Sequence, residues 1–553
     1  MSFFDSFKKS TLTFSDQINR IQLNIDEINE GNSQNENFLF HKNNKLIKIY
    51  DRVCNHNLGK LFLKGNNAIC PLHGWELELE NEKYINVSCS KKPLLTVHEN
   101  ELDSPLIEIE NKTQKLNTLN FNSKKNLTIR FINHACIHFE IDNKFSFATD
   151  PWIIGSAFCN GWWLAKDSPI DAFEVLNNSD FIYISHNHPD HLHRKSLEYL
   201  RKDMPILTAG FINKSTLNLL KEFGFKDITT MEFSSRFVQE NNEFSIAVLK
   251  SGDFREDSGL LFEIGEFTGL LTVDSNLLNF GKLPHVDFLA SSFAGGASGF
   301  PLCFENYTQS EKEKIIERNR NAIFSTNLKT IKLTKPKYFM PYAGFFTEKA
   351  ERDQYIKKMN KKNTSQYFKE ICSNNKCQLL DNNENQIFRF FGKQLTNKFK
   401  DNSEKYLDNS YSEFLTRKSI QISDKEFVKL VLNYFSYAEL REKLVLDLIT
   451  TCDNFSKYFE RFKIDFESND IQILDTNTET NKLEENTLLA DKKYLKLKVR
   501  REELIDVLIN RKPWEDLSIG FQCRVYRNPN IYNSRFWFYF TNVYISDNVP
   551  TFD

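Results

Sequence analysis

The sequence predicts a multidomain protein of three successive units: all-β, α/β and α+β. Three observations predict it. The chain has 553 residues, too many for one ordinary core. Short alternating or apolar runs fill residues 37–110, and strand-like runs then alternate with helix-period segments over 125–395. Amphipathic helical stretches and a last aromatic run occupy 400–553.

In the first unit, assigned to 1–115, FLFHKNNKLIKIYDRVC, KLFLKG, WELELE and LLTV read as short strands between Asn, Gly and Lys turns. A polar stretch near 111–125 reads as a linker. In the second, assigned to 125–395, LTIRFINHACIHFEIDNKFSFATDP reads as strands with turns at NH and DNK. FIYIS, PILTA, EFSIAVLKSG, GLLFEIG and GLLTVD are further strands. RKSLEYLRK and KSTLNLLKEFG are helices, the second stopped by its glycine. Ser310-Glu-Lys-Glu313 is a capping-box candidate for a long helix ending before Pro336, and KYFMPYAG reads as a last strand and turn. The alternation is that of an α/β domain. The third unit, 400–553, contains helical DKEFVKLVLNYFSYAELREKLVLDLIT and REELIDVLINR, then strand-like RFWFYFTNVYI.

Composition narrows the partners. A net charge of −2 and a pI near 6.6 argue against a nucleic-acid or anionic-membrane protein, which needs a basic excess. No apolar run approaches the roughly 18 residues of a bilayer span, so no membrane insertion is expected. The start, MSFFDSFKKSTLTFSD, lacks the apolar core of a signal peptide. Ten cysteines in so long a chain form no disulfide framework. A cytoplasmic protein with reduced thiols is the expectation.

Two stretches carry chemistry. FIYIS ends directly before His186-Asn-His188-Pro-Asp190-His191. On extended backbone His186 and His188 point to one side; Pro189 turns the chain and Asp190 and His191 follow. Donors would gather at a strand's C-terminal end, where α/β folds place sites. Imidazole with carboxylate suits zinc, iron or manganese. A lone histidine would favour a surface-exposed polar turn; four donors at this spacing read as a metal site. Upstream, Cys54-x-His56 and Cys70-x-x-His73 each offer one thiolate and one imidazole. A Cys₂His₂ zinc finger would group its cysteines first. The interleaved order is that of a Rieske 2Fe–2S centre, two cysteines on one iron and two histidines on the other. A structural zinc site or unligated thiols are the alternatives.

Weaker signals have ordinary readings beside functional ones. Gly295, Gly296 and Ser298 of FAGGASGFP could approach a phosphate or simply form a tight loop. Trp162 could stack on a base or pack in the core. His134 divides evenly between an outer-sphere role at the metal and packing. His138 and His193 read as structural or exposed, and KKYLKLKVRRE as a solvated face or a surface for an acidic electron carrier.

The segment 186–191 resembles the H-x-H-x-D-H motif of the metallo-β-lactamase fold, an αββα architecture. His134-Ala-Cys136, FATDP with Asp150, and LLTVDSN with Asp274 extend the likeness; Asp274 stands where that family carries a metal-bridging aspartate. Two departures stand against a full two-zinc hydrolase site. The loop SGDFRED holds no histidine, only Asp253 and Asp257, and MPYAGFF, with Tyr342 and Ala343, occupies the region of the last histidine. Two histidines and one carboxylate with open positions are the usual ligand set of non-haem iron(II) oxygenases; the sequence permits such a mononuclear set from among His186, His188, Asp190, His191 and Asp274, with His134 and Asp253 as additional candidates.

A Rieske cluster transfers single electrons, which hydrolysis does not use, so the second metal is expected to be redox-active non-haem iron. The order of units, with FINHACIHFEI, DPWIIGSAFCNGWWLA, SFAGGASGFPLCF, PYAGFF and WEDLSIGFQCRVYRNPNIYNSRFW, resembles the CMP-N-acetylneuraminate hydroxylase family over about 45–540. That resemblance implies a monooxygenase using O₂ on the N-acetyl group of a nucleotide sugar. Electrons would come from NADH through a reductase and a donor protein, a b5-type cytochrome or a ferredoxin. The alternatives are an oxygenase of another nucleotide or amino sugar, a hydrolase with a redox-sensing Rieske domain, and an electron carrier without activity.

Overall fold

The computed structural model describes residues 2–55, 61–70, 75–85, 89–119, 121–253, 255–417 and 422–542. Two eight-stranded sheets dominate it. The first runs, in order, Ile228–Met231, Ile206–Ala209, Phe181–Ile184, Phe145–Thr149, Cys136–Ile141, Asn126–Asn133, Ile387–Phe391 and Gln394–Phe399. The second runs Lys8–Thr11, Ser235–Gln239, Phe244–Lys250, Ser258–Ile264, Phe267–Leu271, Phe288–Ser292, Tyr338–Tyr342 and Gln378–Leu379. They face each other across an aromatic core. Phe139 stacks on Phe147 at 4.7 Å and meets Phe262 of the other sheet edge-on at 4.9 Å, geometries that add to area burial. This is where many of the 50 phenylalanines go.

Helices cover the outer faces. Ala172–Asn177, Arg194–Glu198 and Ser215–Glu222 pack on the first sheet through Leu176, Leu197 and Leu220. The long helix Gln309–Thr334 lies on the second, where Asn327 Nδ2 donates to the Ser292 carbonyl at 3.0 Å. The layers are therefore αββα. In each sheet four neighbouring strands run parallel, so the C-terminal ends of Phe145–Thr149, Phe181–Ile184, Phe267–Leu271 and Tyr338–Tyr342 release their loops at strand tips, the place where such sheets build sites.

An antiparallel ribbon of Phe14–Asn24 and Leu106–Leu116 carries the small all-β unit. That unit has two four-stranded sheets, with Cys54 and Cys70 buried in one cluster beside Leu61, Leu77 and Tyr84. His56 and His73 lie outside the described residues. In the C-terminal unit a five-stranded sheet, ordered Asp470–Leu474, Tyr458–Asp465, Leu444–Thr451, Lys493–Arg500 and Cys523–Asn528, packs against helices that include Asp424–Ser436 and Arg501–Ile509. Among the described residues no helix is long and apolar enough to cross a membrane.

Several expectations change. The reading of 1–115 as one unit fails at its start: Phe3, Phe4 and Phe7 pack on Phe145, Phe181, Phe237 and Phe244, and Lys8–Thr11 edges the second sheet. Three aromatic rings in seven residues have more to gain in that core than on a solvated arm. The linker assigned from 111 begins later, because the ribbon strand continues to Leu116. The capping box sits two residues earlier than expected: Thr308 Oγ accepts from the Glu311 amide, and Glu311 accepts from the Thr308 amide. Tyr338–Tyr342 is not the last strand, since Ile387–Phe391 and Gln394–Phe399 close the first sheet. RFWFYFTN is not a strand but the helix Ser534–Asn542, whose Phe536, Trp537 and Phe540 share the buried side at helical spacing. Nor does 400–553 stand apart: its core is continuous with Trp152, Phe158, Trp162, Leu302 and Phe346. In KKYLKLKVRRE, Lys496 and Lys498 pair with Glu305 and Arg500 is buried on Asp353.

His138, in Cys136–Ile141, is kept neutral to about pH 4 by burial and by Arg130, against an ordinary value of 6.5. The unfolded chain protonates it near 6.5, so between those values the unfolded state binds the extra proton and stability falls as pH falls. His138→Gln should flatten the decline in thermal midpoint between pH 6.5 and 4 relative to the wild-type chain; parallel curves would refute this assignment.

Candidate metal centre

Three strand tips and one hairpin turn converge. Phe145–Thr149 ends at Asp150, Phe181–Ile184 at Ser185 and the histidines, Phe267–Leu271 shortly before Asp274, and the turn after Asn126–Asn133 begins with His134. The backbone is bent hard here. His134 (φ +42°), Asp150 (+35°), Val273 (+52°) and Ala343 (+50°) occupy the left-handed region, which costs a non-glycine residue about 1–3 kcal/mol and is a genuine outlier for β-branched valine. The surroundings hold it: Ala343 N donates to the His134 carbonyl at 2.8 Å, and Val273 N to the buried Tyr342 hydroxyl at 3.1 Å.

Seven side chains supply donor atoms. His186, His191 and Asp274 form one set within 4.8 Å, His186, His188 and Asp257 a second, and His134, Asp190 and His191 a third. His186 Nε2 faces His188 Nδ1 at 2.8 Å; His134 Nε2 meets Asp190 Oδ2 at 3.1 Å. Asp150 stands behind His191, accepting from Nδ1 at 2.9 Å, and is itself held by the Ser185 amide at 2.8 Å and hydroxyl at 2.7 Å. That leaves His191 Nε2 pointing toward Asp190 and Asp274, at 3.4 and 3.7 Å.

The electrostatics suit a cation. Burial opposes charge on His191, but Asp190 and Asp150 outweigh it and raise its pKa well above the ordinary value. Asp190 is held well below the carboxylate range despite burial, chiefly by His191 and His134. His191 Nε2 and Asp190 Oδ1 are buried with no hydrogen-bond partner, each costing about 1–3 kcal/mol unless something satisfies it. A metal ion would satisfy both, and imidazole nitrogen with carboxylate oxygen fits iron, zinc or manganese. The residues present therefore fit the expected iron.

The structure brings His134, His186, His188, Asp190, His191 and Asp274 into one cluster. Asp253 stays out of it: its carboxylate accepts from Ser251, Arg255 and Asn276, each at 2.9 Å. Asp257 takes the place at the cluster, 3.9 Å from His186. Its signal in the sequence was its position directly before the apolar run SGLLFEI. Gly295, Gly296 and Ser298 form a tight loop. The Gly296 carbonyl accepts from Asn360 Nδ2 at 2.9 Å, a Cβ at Gly296 would lie 2.3 Å from the same amide, and Ser298 Oγ donates to Phe300 O. Trp162 is buried, its ring stacked on Phe346 at 3.6 Å and its Nε1 donating to Ile519 O. Reasoning from sequence assigned no role to Asp150 or Ser185 and missed Glu515, which meets His188 Nε2 at 3.2 Å across 327 residues of chain.

Two outcomes test this geometry. Asp150→Asn should weaken metal binding about 10–100-fold, as loss of a ligand's hydrogen-bonded support does, read by competition with a chelator; unchanged affinity would reduce Asp150 to a strand-end brace. Asp257→Ala should cost more affinity than Asp253→Ala, and the reverse order would remove Asp257 from the donor set.

No protein-family model matches the chain. Curated relatives match nearly all of it. The cytidine monophosphate-N-acetylneuraminic acid hydroxylase of Xenopus laevis is 30% identical over 548 residues, 91% of this chain and 88% of that protein. The Danio rerio protein of the same name is 29% identical over 564 residues, covering 92% and 90%. Among solved structures, CmlA, a diiron β-hydroxylase from Streptomyces venezuelae, overlaps 50% of this chain and 55% of its own at 15% identity and a TM-score of 0.33. The metallo-β-lactamase fold protein YhfI from Bacillus subtilis overlaps 40% and 86% at 15% identity and a TM-score of 0.26. On the near full-length match to the Xenopus laevis protein, the chain belongs to the cytidine monophosphate-N-acetylneuraminic acid hydroxylase family.

Proposed function

We propose that this protein is an iron-dependent monooxygenase converting the N-acetyl group of CMP-N-acetylneuraminic acid to the N-glycolyl form. The observation that carries the reading is family membership over 91% of the chain, joined to a buried cluster of donors of the kind iron takes. One atom of O₂ enters a methyl C–H bond as hydroxyl and the other leaves as water, with two electrons and two protons.

In this reading, 1–115 carry the Rieske domain, 125–395 the metallo-β-lactamase-like catalytic domain and 400–553 an accessory domain, with the first residues packed on the catalytic core. Cys54, His56, Cys70 and His73 hold the 2Fe–2S cluster. The burial of both cysteines together supports this, as does the order of the four residues. His186, His188, Asp190, His191, Asp257 and Asp274 hold iron. The iron, when bound, supplies O₂ activation, and the cluster supplies single electrons.

The remaining side chains orient and shield. Asp150 and Ser185 fix the ring of His191. Arg255, paired with Asp253 and Asp257, balances their charge. His134, His186, Asp190, His191 and Asp257 are almost sealed from water, whereas His188, Asp274 and Arg255 are partly open. Substrate therefore enters on their side. NADH provides the electrons through a reductase and a b5-type cytochrome or a ferredoxin, in a cytoplasmic setting.

A single turnover tests the reading. The iron-loaded protein is reduced chemically, freed of excess reductant and mixed with CMP-N-acetylneuraminic acid and ¹⁸O₂. Mass spectrometry should find one heavy oxygen on the acyl group. Hydrolysis of the sugar nucleotide without electrons would indicate a hydrolase. An unchanged sugar, with both metal centres confirmed, would indicate another nucleotide or amino sugar, or an electron carrier.

A further inference from the structure

His188 has both ring nitrogens engaged. Nδ1 faces His186 Nε2 at 2.8 Å, and Nε2 faces Glu515 Oε1 at 3.2 Å. A carboxylate only accepts, so Nε2 carries the hydrogen and the Nδ1 lone pair is left facing the same point as His186 Nε2. The orientation is not a loose surface pairing, for the His188 and Glu515 side chains keep only 18% and 27% of their exposure. Phe158 packs edge-on to the His188 ring at 5.8 Å.

Glu515 comes from the C-terminal unit, and its place is fixed by backbone contact. Trp514 beside it is fully buried and donates from Nε1 to the Tyr434 hydroxyl at 2.6 Å. The short helix Glu515–Ile519 ends at Gly520, where a Cβ would lie 1.9 Å from the Phe158 carbonyl oxygen; a Cβ at Gly161 would lie 2.1 Å from the Gly520 carbonyl oxygen. Only glycine admits so close an approach. The loop 158–161, bearing the ring that abuts His188, is thus locked against the end of the helix bearing the carboxylate that abuts the same ring.

We propose that Glu515 is a positioning residue of the metal centre: it fixes the His188 tautomer and ring so that Nδ1 binds metal, and the C-terminal unit thereby completes a centre whose donors all lie in the α/β unit. The inference rests on the reading of His188 as a metal ligand.

The test uses the full-length chain with cobalt(II) as probe, reading affinity by chelator competition and the visible absorption band. Glu515→Ala should bind about 10–100-fold more weakly with an altered band. Glu515→Gln, whose amide oxygen still accepts from Nε2, should recover most of the affinity and the wild-type band. Wild-type affinity and band in Glu515→Ala would overturn the proposal. So would a Glu515→Gln protein as weak as Glu515→Ala, which would make the carboxylate a ligand instead. A measurement on the unsubstituted chain is independent of folding defects: in the zinc-loaded protein, long-range ¹H–¹⁵N correlation should place the His188 proton on Nε2, and a proton on Nδ1 would overturn the assignment. A wild-type chain that takes up neither metal would sink the metal reading itself, a result distinct from equal binding by wild type and variants.

Discussion

Four carboxylates and four imidazoles share a space nearly closed to water, with one guanidinium, Arg255, at its edge. Charge of one sign in a medium of low dielectric is not tolerated without a counter-charge. That requirement organises the molecule. The parallel strands deliver their loops to the centre, the strained turns at His134, Asp150, Val273 and Ala343 aim the side chains inward, and the aromatic core between the sheets is stiff enough to hold the bends. The left-handed backbone of four non-glycine residues would relax in a looser scaffold; here hydrogen bonds from Ala343 and Val273 fasten it.

Much of the αββα unit was readable from pattern. Apolar runs such as FIYI, parallel to both neighbours, and GLLFEI, antiparallel to both, are strands because each is buried on both faces and so needs no alternation. The H-x-H-x-D-H cluster was legible because its donors are adjacent in sequence. The outer support was not. Asp150 lies 41 residues from His191 and Glu515 lies 327 from His188, and no local rule pairs residues so far apart. Of the two aspartates in SGDFRED the sequence reading put Asp253 among the candidates, and only the start of the strand at Ser258 sets Asp257 against the histidines instead. RFWFYF misled because six residues of aromatic and arginine character suit a pleated surface as well as a helix; burial of Phe536, Trp537 and Phe540 against a shared core decided it.

The glycines of SFAGGASGFP and FCNGWW had offered a phosphate cradle and a stacking platform. Both are consumed in packing. Gly296 makes room for Asn360, Gly161 for the backbone at Gly520, and Trp162 is covered by Phe346. What looked like ligand chemistry is the fitting of one unit against another. The same fitting explains why the C-terminal unit has no independent core: its sheet is extended by the segment 303–305, which bonds to Val525, and its buried Arg500 finds its carboxylate on Asp353.

The ribbon of Phe14–Asn24 and Leu106–Leu116 has a further meaning. At its base the Asn117 amide donates to the Thr13 carbonyl at 2.9 Å, so the chain leaves the α/β unit and re-enters it at one point. The all-β unit is therefore an insertion into the first turn of the larger fold, not a bead preceding it on a string. Both of its connections run side by side, and any motion it makes pivots on that double-stranded stem. A short turn joining residue 13 to residue 117 would excise the whole unit and leave the edge strand Lys8–Thr11, the two sheets and the loops that carry the donor cluster uninterrupted.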